Sequence, residues 1–355
     1  MGMVERVTGW LDERYQIGDL REFAEHKTVP MRHTIWYYFG GITLFLFLIQ
    51  VATGILLLLY YRPTEAQAYE SVQYIVAEVP FGWLVRSIHS WSANLLIGAA
   101  FIHMFSVFFL KAYRKPRELT WLSGIVLLAV FMGFGFTGYL LPWNRLAFFA
   151  TKVGTEMVSV VPVVGETLMR MIRGGEHVTG ATLTRMFGFH VALLPAITTL
   201  FLALHLLFVQ RQGMSGPLKG EDPEQMPFFP NFILRDLMVW MIVLGLLGTL
   251  SLYFPWELGV KADPIAPAPA GIEPEWYFLF VFQALRIFPS TLLGIDGRLI
   301  LFGLLGVIGL AWTFVPWLDQ RAAQGEPSKL INRAGSVLLA AMIVLTVWAK
   351  FFHHA

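Results

Sequence analysis

Apolar residues come in seven long runs separated by short polar stretches: 35–60, 84–110, 119–141, 186–209, 232–254, 299–318 and 334–348, called spans A to G. Each is far longer than a barrel strand and lacks period-two alternation, so helices are expected and sheet is not. A bilayer core needs roughly 20 apolar residues per spanning helix. The pattern therefore predicts an all-α, polytopic membrane protein of about seven transmembrane helices, with A–D as a four-helix bundle and E–G as a three-helix half. Two shorter apolar stretches, 158–164 and 276–288, read as surface helices or loops. The Gly- and Pro-rich stretch 213–231 marks a linker between a unit at 34–212 and one at 232–355, and a polar, amphipathic segment precedes them at 1–33. That segment lacks the apolar stretch of a cleavable signal.

Composition sharpens this picture. The chain is 56% hydrophobic and 14% charged, where a soluble domain carries about a quarter charged residues. A formal charge of +2 with no basic arm gives no reason to expect nucleic acid. With 0 cysteines, disulfides, iron–sulfur clusters and thioether-linked groups have no attachment within the chain. Any metal must be held by His, Met or oxygen. Lys111, Arg114, Lys115 and Arg117 in the B–C loop, Arg211 and Lys219 between D and E, and Arg321, Lys329 and Arg333 between F and G put these loops on one side. By the positive-inside rule that side is cytoplasmic, and the N-terminus with it.

Four histidines fall inside the apolar runs, His89 and His103 on B and His190 and His205 on D. Ionisable groups at membrane depth suggest function by default, although a lone one can be a satisfied core residue. The B pair is 14 positions apart and the D pair 15, about 21 and 22 Å along a helix. B and D run in the same direction, so His89 stands level with His190 and His103 with His205. Two imidazoles at each of two depths is a ligation that haem iron accepts. Gly40 and Gly54 on A, and Gly124 and Gly138 on C, repeat the 14-residue spacing. They would let the backbone approach a flat macrocycle, or serve ordinary helix packing. Arg86 and Arg185, just outside His89 and His190, are candidate propionate partners or interfacial anchors.

These residues, together with Gly138-Tyr139-Leu140-Leu141-Pro142-Trp143 and Pro274-Glu275-Trp276-Tyr277, resemble the cytochrome b subunit of quinol:cytochrome c oxidoreductases, the bc- and bf-type complexes. The match to the bf type is the closer one, carried by Tyr61-Arg62-Pro63, Lys115-Pro116-Arg117-Glu118-Leu119-Thr120-Trp121, Thr182-Leu183-Thr184-Arg185 and Gln212-Gly213-Met214-Ser215-Gly216-Pro217. The bf-type cytochrome and its three-helix partner, subunit IV, look fused here.

The resemblance implies two non-covalent b haems on the four histidines and quinol oxidation at the non-cytoplasmic face. It implies Glu275 as proton acceptor there, in a pocket walled by Tyr277, Tyr139 and Pro142. It also implies quinone reduction at the cytoplasmic face coupled to proton translocation, with a Rieske iron–sulfur protein, a c-type cytochrome subunit and a second copy of the complex as partners in a bacterial inner membrane. Asp19, Glu22, His26, His33 and Arg211 are the candidates for the cytoplasmic quinone site. Asn144-Arg145 and Gln210 depart from the bf pattern. The bf type also ties a further haem to a cysteine early in span A. Tyr38 stands there, which excludes a covalently attached haem, and its ring would fill part of that space. A di-haem membrane anchor of a dehydrogenase or hydrogenase also uses helix histidines but needs no Glu275 pocket. A transporter with a histidine relay would not need matched depths.

Overall fold

A computed structural model describes the chain except residues 1, 17, 19–21, 23–25, 31–34, 217, 219–223, 270 and 353–355. Its helices follow the hydropathy pattern closely. Span A is a 3₁₀ turn, Ile35–Tyr38, running into Phe39–Leu58; B is Gly82–Phe109; C is Glu118–Leu140; E is Ile233–Tyr253; G is Lys329–Phe351. Span D begins earlier than its apolar run, at Gly180, because Thr179 accepts from the Ala181 amide while the Thr182 hydroxyl accepts from the Thr179 amide. Two polar side chains cap an end that hydropathy cannot see.

Six described helices are long and apolar enough to cross a bilayer, and span F is a shorter apolar helix beside them. Span F is a helix of only 17 residues, Gly297–Thr313, followed by the separate turn Val315–Leu318. At 1.5 Å per residue that helix reaches about 25 Å, and the turn after it carries the apolar run on to Leu318. Pro316 at the start of that turn cannot continue the hydrogen-bond ladder. The short stretch after Pro274 folds as a 3₁₀ turn, Trp276–Phe278, and the helix Leu279–Ile287, which packs on G. Residues 158–164 join two amphipathic surface helices, Arg145–Ser159 and Gly165–Arg173.

A pairs with B and C with D, while E packs on A and B. The central core is formed by Ile42, Leu46, Leu96, Ile97, Leu127 and Phe131, joined by Leu247 of E and Tyr277. Two short ribbons are the departure from all-helix. One joins Thr28–Pro30 to Gln225–Pro227, antiparallel, tying the N-terminal segment to the linker before E. The other is Thr291–Leu292 with Ile295–Asp296.

The three basic loops do share one end of the bundle, and their cations are not simply solvated. Arg114 donates to the Gly216 carbonyl at 2.7 Å and Arg117 to that of Gln212 at 3.0 Å, so the B–C loop grips the chain after D. Lys111, buried, pairs with Asp319 at 3.2 Å, clamping the same loop to the segment after F. Asp319 also accepts from Tyr113 at 2.6 Å, the Ala322 amide at 3.1 Å and Ser328. Those donors outweigh burial and hold its carboxyl below the usual range. A buried pair is tolerated only when its remaining valences are met in this way.

Candidate functional site

His190 sits in a π-helical turn, Phe189–Leu193, within span D. The cause is local: Pro195 has no amide to offer the Val191 carbonyl, and the Leu194 amide bonds to Phe189 instead. Such single turns are often found at functional positions because they re-aim one side chain. His190 thereby faces His89 across the bundle, with ring centroids 6.4 Å apart. One metal ion with an imidazole nitrogen about 2 Å away on each side fits between rings at that separation.

Each of the four glycines lies against one of the four imidazoles, which is closer than a general allowance for a macrocycle. A Cβ at Gly54 would stand 3.4 Å from the His89 ring, at Gly40 3.0 Å from His103, at Gly124 3.3 Å from His205, and at Gly138 2.6 Å from His190. The 14-residue spacing on A and C thus copies the histidine spacing on B and D. Three Nδ1 atoms have a hydroxyl partner: Thr53 for His89 at 2.9 Å, Ser123 for His205 at 2.9 Å and Thr137 for His190 at 3.1 Å. His103 Nδ1 is buried with no hydrogen-bond partner among the described residues.

Two cavities occupy the bundle, one at each histidine level. The smaller, about 390 Å³, is lined by His89 and His190 together with Arg86, Tyr139, Pro142 and Glu275. The larger, about 790 Å³, has His103 and His205 in its wall, with Lys27, Gln210 and Asp236 at one end. A glycine cradle, a donor set of two imidazoles and adjoining space therefore recur twice, and the residues fit two bis-histidine haems.

Arg86 is buried and donates to the Trp256 and Glu257 carbonyls at 2.5 and 3.1 Å, which holds it in the wall beside His89. Arg185 is different. It is exposed, lines neither cavity, and its guanidinium lies 3.5 Å from the Arg170 carbonyl. Its place five residues before His190 in sequence does not bring it into the cavity that His190 lines.

The Pro-Glu-Trp-Tyr segment is pinned by its two aromatics. Trp276 Nε1 donates to Asn94 of B at 2.8 Å, and Tyr277 is buried with its hydroxyl against Gly135 of C. Asn94 and Gly135 escaped notice in the sequence because nothing about their spacing is unusual. Immediately before those anchors, Glu275 lines the smaller cavity. Burial raises its carboxyl above the usual range, partly offset by Lys350. The Tyr277 phenol is raised too, by burial and then by Glu275 and Tyr139. Asn144 caps Arg145–Ser159 by accepting from the Ala147 amide at 2.9 Å and donates to Leu258 at 2.9 Å, so this departure from the bf pattern has a structural use.

Of the residues nominated for the cytoplasmic quinone site, Asp19 and His33 lie outside the described residues. Glu22, His26 and Arg211 are exposed and absent from the cavity walls. Charged side chains in the wall of the larger cavity include Arg117, Lys27, which donates to Gln210 at 2.5 Å, and Asp236 on span E, whose Oδ1 is buried with no hydrogen-bond partner among the described residues. Tyr38 is not among the residues lining that cavity. Its ring stacks on Phe232 at 5.3 Å, within a cluster containing Val29 and Met226.

Comparison with known proteins gives a consistent result. The cytochrome b/b6/petB family matches residues 24–213, and the cytochrome b(C-terminal)/b6/petD family matches residues 261–353. A cytochrome bc complex cytochrome b subunit from Chlorobaculum thiosulfatiphilum is 49% identical over 98% of this chain and 82% of its own length. Cytochrome b6 of a Synechococcus species is 47% identical over 61% of this chain and its own whole length. Among solved structures, a chain of a hyperthermophilic respiratory Complex III superposes with a TM-score of 0.85 at 30% identity, covering 97% of this chain and 91% of that one.

Proposed function

This chain belongs to the cytochrome b/b6 family, with the b6 and petD portions in one polypeptide, and we propose that it is the two-haem, two-quinone-site subunit of its bc-type complex. The observation that carries the reading is the doubled arrangement of two histidines and two glycines, with Glu275 in the wall of the same cavity as the His89–His190 pair. His89 and His190 hold one b haem, nearer the non-cytoplasmic face; His103 and His205 hold the other. When bound, the haems supply a one-electron path between the faces, so a quinol's two electrons can part, one to a Rieske iron–sulfur partner and one across the bilayer.

The chain's own residues do the rest. Arg86, fixed by two loop carbonyls, presents a buried cation beside His89 for a carboxylate such as a propionate. Glu275, in apolar surroundings that raise its proton affinity, accepts a proton from quinol bound against Tyr139, Pro142 and Tyr277. The Tyr277 phenol stays protonated and serves as wall and donor. At the other face, the end of the larger cavity around Lys27, Gln210 and Asp236 receives quinone. The basic loops make that face cytoplasmic, in a bacterial inner membrane, with a c-type cytochrome and a second copy completing the complex.

With 0 cysteines in the chain, both haems are held by coordination alone. Pigment extraction from the purified complex should release two b haems per chain, and haem staining of this subunit on a denaturing gel should be blank. Fewer than two would sink the ligand assignment, and a third, at the larger cavity, would sink the two-haem count.

A further inference from the structure

We propose that the hydroxyls of Thr53, Thr137 and Ser123 set the electron-donor strength of the ligating histidines, and that Phe39 leaves His103 without this contact. The proposal rests on the ligand assignment above.

The starting point is a register shared by four glycines. Thr53-Gly54, Ser123-Gly124 and Thr137-Gly138 each place a hydroxyl immediately before the glycine that faces a histidine, whereas the fourth pair is Phe39-Gly40. The missing Cβ admits the imidazole, and the preceding side chain reaches its Nδ1, at 2.9 to 3.1 Å. Where the hydroxyl is replaced by Phe39, His103 Nδ1 has no hydrogen-bond partner among the described residues.

The hydroxyl protons are already committed. Thr53 donates to the Ile49 carbonyl at 2.7 Å, Thr137 to Gly133 at 2.8 Å and Ser123 to Thr120 at 2.9 Å. Bonding of this kind back along a helix is ordinary for Ser and Thr and needs no functional explanation. Its consequence here is specific. Each oxygen can only accept from the imidazole, so Nδ1 carries the proton and Nε2 is left free for the metal. An accepted Nδ1–H bond also raises the basicity of the ligand. A more basic ligand favours the oxidised metal, so it lowers the reduction potential.

The two levels then separate. Both histidines at the His89–His190 level are partnered by threonine, and only His205 is partnered at the other level. The backbone carbonyls of Phe134 and Thr120 lie beside His190 and His205 as well, one at each level, so they do not distinguish the levels. The His103–His205 level therefore has one such contact fewer, and Phe39 is the residue responsible.

The test is a redox titration of the intact purified complex, each haem followed by its own absorbance band and low-temperature electron spin resonance. Thr53→Val and Thr137→Val keep side-chain shape and remove the acceptor; each should raise the potential of the His89–His190 haem. A tenfold shift in the reduction equilibrium is expected, about 59 mV for one electron, with the other haem unmoved. Thr53→Ser, which restores the acceptor, should return the potential to the parent value. Phe39→Thr removes no ligand contact and should shift the His103–His205 haem the opposite way. Any variant that retains two haems per chain decides the matter: unchanged potentials, or equal movement of both haems, overturn the proposal. A parent complex with fewer than two haems would instead mean that the ligand assignment has failed.

Discussion

His103→Ala should leave one haem per chain and bring quinol:cytochrome c turnover close to zero. The second position should survive because its ligands are 14 and 15 residues away on the same two helices, with their own glycines and hydroxyls. Half of the reduced haem absorbance should disappear, and the half that remains should respond to Thr53 and Thr137 substitutions. Turnover falls further than haem content, because one retained haem does not connect the two faces. Gly40→Val is the companion variant. It adds bulk where a bare Cβ already stands 3.0 Å from the His103 ring, and should disturb the same haem with every ligand present. Haem content per chain, measured after extraction, checks both; an unchanged value in His103→Ala would mean that the pairing is wrong.

Glu275→Gln should slow quinol oxidation by about 100-fold, the lower end of what a positioned general base contributes, with both haems retained. The amide fills the same space but takes no proton. The pH dependence supplies the sign. A base works ionised, so turnover rises as pH passes through its pKa, and burial among Tyr139, Tyr277 and Pro142 moves that limb above the ordinary carboxylate range. The limb should be absent from Glu275→Gln. Lys350 pulls the other way, so Lys350→Met should move the limb to still higher pH without removing it. Steady-state turnover of the purified variants across neutral pH reads all of these, and parent-like rates in Glu275→Gln would discard the role.

The chain by itself determined that the protein is a helical membrane bundle, because the cost of burying backbone and charge in lipid is written into composition and run length. It determined the depths of the four histidines as well, since rise per residue is fixed in a helix, and the motif around Glu275 was legible as text. What it could not determine depends on direction around a helix and on contacts distant in sequence. Arg185 and His190 lie five residues apart, yet only His190 enters the cavity, re-aimed by a π-turn that Pro195 imposes. Glu22, His26 and Arg211 stay outside the larger cavity for a related reason: polar residues next to a span are abundant, and only packing selects which turn inward. Lys27 reaches the larger cavity because a three-residue ribbon ties its neighbours to the chain before span E, and Asp236 because E packs on A and B. Hydropathy also hid the break in span F, which stays apolar past the point where its first helix ends. The pairing of each glycine with one imidazole, and the reach of the preceding hydroxyl to that ring's Nδ1, emerge only when four helices are set side by side. Spacing within one helix is a property of the chain; the face that meets a neighbour is a property of the bundle.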